Sequence, residues 1–200
     1  TNTYTWNARD ELASISGGAS ASFVYDGFGR RRGKTVGGVQ TGFVYDGENF
    51  VQELNGATVT ANLVTGGIDE LFARKEGSTA SYPLTDALGS VIGLTDGSGV
   101  LQTQYSYEPY GKGTRSGAGT TNSQTYTGRE DDGTGVYYLR ARFYSSSHGR
   151  FISEDPLGIR GGINLYSYVS GDPISLVDLR GLTHTKADDG GGGGDDIGSG

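Results

Sequence analysis

The sequence predicts an all-β chain of stacked hairpins, and three observations predict it. Glycine fills 37 of the 200 positions and proline four, which punctuates the chain with turns, and no Gly-X-Y period points to collagen. The 13 tyrosines and 7 phenylalanines are an aromatic load that disordered chains lack. The pentapeptide FVYDG stands at 23–27 and again at 43–47, a step that matches one strand, a turn and a return strand.

Taken in order, YTWNA at 4–8 fits the same frame with Trp6 and Asn7 in place of Tyr and Asp. In the two full copies the aromatics at i and i+2 point to one side of a strand. The following Asp26-Gly27 and Asp46-Gly47 supply turn chemistry, because Asp bonds the local backbone and Gly accepts positive φ. Residues 29–35, GRRRGKT, imitate the end of a phosphate-binding loop. Phe28 stands where that loop needs its first glycine, and VGGVQ rather than a helix follows, so the segment reads as a basic strand entering a Gly37-Gly38 turn. Asn55-Gly56 between FVQEL and ATVTANLV is a strong hairpin signal. IDELFARKE at 68–76 is the one stretch rich in helix formers, and it is too short to hold a helix alone.

Asp96-Gly97-Ser98-Gly99 separates SVIGLT from VLQTQYSY, and YSYEP at 105–109 is a fourth copy; LYSYV at 165–169 is a weaker echo. VYYLRARFY at 136–144 alternates as one strand, with Tyr137, Leu139, Ala141 and Phe143 on an apolar face. Val136, Tyr138, Arg140, Arg142 and Tyr144 make the other face, where guanidinium groups lie among phenol rings. Tyr25, Tyr45, Tyr107 and Tyr138 are expected to build the wall of stacked strands, with Arg140 and Arg142 on its polar face. Residues 183–200, which contain five consecutive glycines at 190–194, are expected to be a flexible Gly/Asp-rich tail. The organisation is thus hairpin repeats over 1–80, a second module over 81–182, and the tail.

Composition excludes several functions. No cysteine is present, which removes disulfides, thiolate catalysis and cysteine-based zinc sites. His148 and His184 are the only imidazoles, so neither a metal nor a cofactor is implied. The formal charge is −7, of which −3 falls in the last 18 residues (Asp188, Asp189, Asp195 and Asp196 against Lys186). No basic face marks a nucleic-acid binder, and no apolar run approaches the roughly 18 residues of a membrane helix. Methionine is absent even at position 1, which reads as a piece of a longer protein.

The stretch YPLTDALGSVIGLTDGSGVLQTQYSYEPYGK, followed by YTGREDDGTGVYYLRARFYSSSHGRFISEDPLGIRGGINLYSYVSGDPISLVD, resembles the Rhs repeat-associated core, the C-terminal module of Rhs/YD-repeat proteins. The FVYDG copies resemble the YD repeats that precede it. The resemblance implies hairpins stacked into a continuous curved sheet that spirals into a hollow shell, as in Rhs polymorphic toxins, the C component of Tc toxin complexes and the teneurin shell. In toxin members the shell encloses a variable C-terminal effector, and the core module caps it and includes an aspartyl autoprotease.

By that resemblance Asp155 of Asp155-Pro156-Leu157-Gly158 and Asp178 of PISLVDLRGL at 173–182 form the candidate catalytic pair. The cut is expected between Leu182 and Thr183. Leu179 stands where the family has proline, which departs from its pattern. Two carboxylates in one site do not both ionise readily, so one keeps a proton as acid while the other activates water. Any enzyme activity is at most a single-turnover aspartyl self-cleavage.

Three functions stay open. The chain is a structural shell or cap module of a secreted or cell-surface protein, with self-cleavage active or vestigial. Alternatively, it is the active processing domain of a toxin. A third reading is an extracellular filament or surface subunit built by β-edge pairing. The expected partners are neighbouring strands of the same protein or identical subunits, and an encapsulated effector in the toxin readings.

Overall fold

The computed structural model describes residues 1–187; the flexible tail expected from the sequence lies outside this range from residue 188 onward. Among the described residues, 12 strands form one antiparallel meander in strict chain order. They are β1 (Asn2–Trp6), β2 (Leu12–Gly17), β3 (Ala21–Tyr25), β4 (Arg31–Val36), β5 (Val39–Asp46), β6 (Asn49–Asn55), β7 (Thr58–Thr65), β8 (Leu71–Glu76), β9 (Thr79–Thr85), β10 (Val91–Thr95), β11 (Leu101–Tyr107) and β12 (Gly113–Gly117). Each pairs with the next, so every ladder is local in sequence.

One rim of the sheet is built from a recurrent five-residue turn. At Asn7, Asp26, Gly66, Asp86 and Glu108 the backbone N–H donates to the carbonyl four residues on. The fourth position takes positive φ, filled by Asp10, Gly29, Asp69, Gly89 and Gly111. At Asn7, Asp26 and Asp86 the side-chain Oδ1 also accepts the N–H groups of residues i+2 and i+4, at 2.8–3.1 Å. The Asp or Asn side chain therefore satisfies donors that the tight loop strands from any ladder. The positive-φ glycine of the first full copy is Gly29, not Gly27. In the second copy Asp46 pairs with Asn49 and Gly47 itself takes φ +60, a two-residue turn.

On the opposite rim, Gly37 and Gly38 both take positive φ between the paired Val36 and Val39. The Asn55-Gly56 signal lands one residue later than expected: Asn55 pairs with Thr58, and the turn residues are Gly56 and Ala57. The 68–76 segment is a strand from Leu71 onward, not a helix; ladders to β7 and β9 on both sides override its helix propensity. Two further copies of the frame also emerge, LVTGG at 63–67 and PLTDA at 83–87.

Within the frame the first position faces inward, where Phe23, Phe43, Leu63 and Tyr105 are buried, while Val24, Val44 and Val64 point outward and are exposed. The third position binds each strand to its neighbour. The hydroxyl of Tyr25 donates to the Leu12 carbonyl, that of Tyr45 to Arg31 and that of Tyr107 to Val91, at 2.7–3.0 Å.

The chain from residue 122 returns over the inner face as a plug. Its strands β13 (Glu130–Asp131), β14 (Tyr137–Leu139), β15 (Arg142–Ser145) and β16 (Arg150–Phe151) form a second sheet. β17 (Leu176–Val177) pairs with β18 (Thr185–Lys186), so the first residues after 182 join a ladder rather than the expected tail. VYYLRARFY is not one strand. It reverses at Arg140-Ala141, with Arg140 at φ +54 and Leu139 paired to Arg142. The reversal regroups its faces. Val136, Tyr138 and Phe143 pack on Leu12, Ile15, Ala21 and Phe23, while Tyr137, Leu139 and Tyr144 pack on Tyr126, Phe151 and Tyr168. Tyr138 thus belongs to the plug, not to the wall.

Polar anchors hold plug to sheet, among them the following. Three plug tyrosines, Tyr126, Tyr144 and Tyr137, donate their hydroxyls to the consecutive carbonyls of Pro109, Tyr110 and Gly111 in one rim turn. Arg31 of β4 is fully buried and pairs with Glu130 and Asp132, its guanidinium 4.3 Å from the Tyr138 ring centroid. Lys34 adds a 2.5 Å bond to Asp132. Burial alone pushes the Asp132 carboxyl up, but the Arg31 and Lys34 charges and hydrogen bonds outweigh it and hold the group below its ordinary value. An Arg31→Met chain leaves two buried carboxylates facing one lysine. It should lose about 3–5 kcal/mol, read as a lowered urea midpoint, and an unchanged midpoint would refute this anchor.

Candidate functional site

The site is assembled around the β14–β15 turn. Positive φ at Arg140 closes the turn in two residues, which sends the Arg140 and Arg142 side chains to different partners. Arg142, with 3 % of its side chain exposed, places Nη2 2.9 Å from Asp155 Oδ2 and 3.6 Å from Asp178 Oδ2. Its Nη1 donates to the Leu165 carbonyl at 3.2 Å, and its guanidinium carbon lies 3.6 Å from the Phe151 ring centroid. The two aspartates, separated by 22 intervening residues, therefore face one guanidinium nitrogen.

Each aspartate sits in a turn with the chemistry of the sheet's rim. Asp155 Oδ1 accepts the Leu157 N–H at 2.8 Å and its carbonyl accepts that of Gly158, which takes φ +60. Asp178 Oδ1 accepts the N–H groups of Arg180, Gly181 and Leu182 at 2.7–3.2 Å, with Gly181 at φ +70. Pro156, which has no N–H, and Leu179, whose N–H the aspartate does not use, occupy the equivalent second position. The turn at 178 thus closes without the proline that the family pattern has there. Burial pushes the Asp178 carboxyl above its ordinary value, outweighing Arg142 and the three N–H groups that oppose it. Burial also lowers the Arg142 guanidinium, against the pull of the two carboxylates.

The segment from 179 to 182 is gripped residue by residue. The carbonyl of Leu179 accepts from Arg140 Nη1, that of Arg180 from the Ala141 N–H at 3.1 Å, and that of Gly181 from Arg142 Nε at 2.5 Å. Gly181 packs so closely that a Cβ there would overlap the Leu139 carbonyl oxygen. The Arg180 side chain reaches Glu48 at 2.8 Å. Leu182 is half-buried and Thr183 exposed, one peptide unit from the Asp178 carboxyl. A cavity of ≈ 980 Å³ adjoins this cluster, lined in part by Tyr45, Glu48, Arg129, Arg142, Asp155 and Leu182.

Of the residues singled out in the sequence, Asp155, Asp178, Leu182 and Arg142 come together here. Tyr25, Tyr45 and Tyr107 lie in the sheet, and Asp26 serves its own turn. Asp46 is exposed at its hairpin. Arg140 lies on no wall face; it reaches Asp69 and Glu48 in the rim turns. Sequence reasoning missed Arg31, Arg129, Asp69 and Glu48. The charged run Arg129-Glu130-Asp131-Asp132, three residues before the apolar VYYL, was the available signal, since burial of Arg129, Glu130 and the Asp132 side chain requires partners elsewhere. Replacing Gly181 with alanine forces a side chain into both a positive φ and the Leu139 carbonyl. The turn should open by about 1–3 kcal/mol, read as faster amide exchange over 178–182, and unchanged exchange would refute the close fit.

No protein-family profile matches the chain. It is 33 % identical over 194 residues to the tRNA3(Ser)-specific nuclease WapA of Bacillus spizizenii, covering 90 % of this chain and 8 % of that protein. Among solved structures, the Tc holotoxin pore of Photorhabdus luminescens matches with a TM-score of 0.74 and 25 % identity, over 94 % of this chain and 10 % of that one. The TcdB2-TccC3 crystal structure without its hypervariable C-terminal region matches with a TM-score of 0.72 and 26 % identity, over 90 % and 10 %. The chain therefore spans about a tenth or less of the length of these relatives. Across nearly its whole length it is a distant relative of WapA and of Tc-toxin components, and it shares the β architecture of the Tc-toxin structures.

Proposed function

We propose that the chain closes one end of a hollow β-shell of the Rhs/YD type in a secreted or cell-surface protein, and that it cuts itself between Leu182 and Thr183. The observation that carries this reading is the convergence of Asp155 and Asp178 on Arg142, next to a turn whose carbonyls at 179–181 are already held by Arg140, Ala141 and Arg142. Support for a housing role comes from the breadth of the likeness: a tRNA nuclease and a Tc toxin share this segment. The match also persists in a relative lacking its hypervariable C-terminal region, which argues for a common container and not for an effector. β1 and β12 each leave one ladder edge without a partner strand among the described residues. Neighbouring strands of the same protein are the natural occupants, and the polypeptide after the cut is the enclosed cargo.

In the cut, a water molecule adds to the Leu182 carbonyl carbon. Asp155, ion-paired to Arg142, takes a proton from that water, and the new C–O bond makes a tetrahedral centre. Asp178, which burial favours in its protonated form, gives its proton to the departing Thr183 nitrogen as the C–N bond breaks. One water is consumed, leaving a carboxyl on Leu182 and an amine on Thr183.

Mass spectrometry of the purified chain tests this directly. The wild type should yield fragments 1–182 and 183–200, while Asp155→Asn and Asp178→Asn stay whole; a wild-type chain that persists intact overturns self-cleavage. Because the raised Asp178 must carry the proton, cutting should be faster in mild acid. It should slow as pH rises through that group's elevated value. A rate that climbs steadily into the alkaline range would reverse the assigned roles.

A further inference from the structure

We infer that Arg140 is a positioning residue for this self-cleavage, holding the cleavage turn against the rim of the sheet so that the cut depends on the rim being in place. The inference rests on the self-cleavage reading and adds a residue to it.

One guanidinium spans two parts of the fold. On the rim side, Arg140 Nη1 and Nη2 donate to Asp69 Oδ2 and Oδ1 at 2.8 and 2.7 Å, a two-pronged pairing. Nη2 also reaches the Glu48 carbonyl at 3.3 Å. On the cleavage side, the same Nη1 donates to the Leu179 carbonyl. Glu48 closes the loop through its side chain, which holds Arg180 at 2.8 Å. Two residues of the cleavage turn are thus tied to two adjacent rim turns.

Those rim turns brace each other. Asn49 Oδ1 accepts the Asp69 N–H at 2.9 Å, and Asn49 Nδ2 donates to the Gly67 carbonyl at 2.9 Å. Asp69 itself occupies the positive-φ position of its turn and is shared with the buried Arg129. Its backbone is set by the strand connections β5–β6 and β7–β8, through Asn49, and its carboxylate is held by Arg129 as well as by Arg140. Arg140, in turn, makes no bond to Asp155 or Asp178 among the described residues; of the two arginines it is Arg142 that pairs with those carboxylates. Its effect on a cut must therefore pass through the placement of residues 179–182, since a displacement of about 1 Å in a reacting segment costs rate heavily.

The test compares Arg140→Gln, Arg140→Lys and Asp69→Asn with the wild-type full chain, following cutting by mass spectrometry across pH. In parallel, amide exchange of Arg180, Gly181 and Leu182 is read in an Asp178→Asn background that cannot cut. Arg140→Gln and Asp69→Asn should each slow cutting about tenfold or more while leaving the shape of the pH profile unchanged. Exchange at the three amides should rise by a similar factor, and Arg140→Lys should recover part of both. The inference is overturned if the wild type cuts and Arg140→Gln cuts equally fast, or if the pH profile moves with the rate. A wild type that never cuts is a different result: it removes the self-cleavage reading, and this role with it.

Discussion

A guanidinium group in a dry interior must be matched by carboxylates and carbonyls, or it destabilises the fold by several kcal/mol. Arg142 imposes that constraint on the C-terminal third of this chain. It is buried on Phe151 and binds one carbonyl from the 165 loop and one from the 181 turn, with Asp155 and Asp178 beside its Nη2. No secondary structure joins these segments directly. Residues 155, 165, 178 and 181 lie where they do because one side chain collects them. Arg31 plays the matching part between sheet and plug, with Glu130 and Asp132 brought onto β4. The cavity-facing charges are therefore arranged by neutralisation of buried arginine, and the aromatic layers fill the space between.

The same local turn does two jobs. Along the sheet's rim an Asp or Asn accepts stranded N–H groups while a positive-φ residue completes the loop. At Asp155 and Asp178 this geometry recurs off the sheet. In each, Oδ1 is consumed by the turn and Oδ2 is left over. On the rim that second oxygen takes surface partners, as Asp26 does with Arg30 at 2.8 Å. In the plug it meets Arg142 in a buried setting. A structural turn is converted into a chemical site by what surrounds its second oxygen, without a change in its own backbone design.

This explains how much was legible in the sequence. The frame of roughly 20 residues could be read because its aromatic and acidic positions repeat as letters, and the inward and outward alternation followed from strand geometry. Copies at 63–67 and 83–87 escaped because Thr65 and Thr85 replace the tyrosine, although the ladder geometry tolerates either. Asp155 and Asp178 could be paired only through resemblance, since nothing in their spacing predicts a shared partner. The reversal at Arg140 was invisible for a physical reason. Positive φ in a non-glycine residue costs about 1–3 kcal/mol and carries no sequence mark; here bonds to Asp69, Glu48 and Leu179 offset it. The alternation of VYYLRARFY looked continuous because both faces of the resulting hairpin are buried.

The binding of the chain on either side of residue 182 is unequal, and the inequality has a direction. Upstream, three successive carbonyls are held by Arg140, Ala141 and Arg142, and Gly181 is fitted against Leu139 with no room to spare. Downstream, the described attachment is the two-residue ladder of Thr185 and Lys186 with Val177 and Leu176, extended by the Ala187 N–H on Ser175 at 3.3 Å. Backbone hydrogen bonds contribute about 1 kcal/mol each, and so short a ladder barely offsets the entropy of ordering its strand. While the chain is continuous, residue 182 delivers that entropy reduction at no cost by tethering the strand. Severing the tether would leave the upstream end docked on the arginines and the downstream end free to dissociate. On the function proposed here, the retained end would fill the site after one cut, so the same grip that positions the bond also limits the chain to a single turnover.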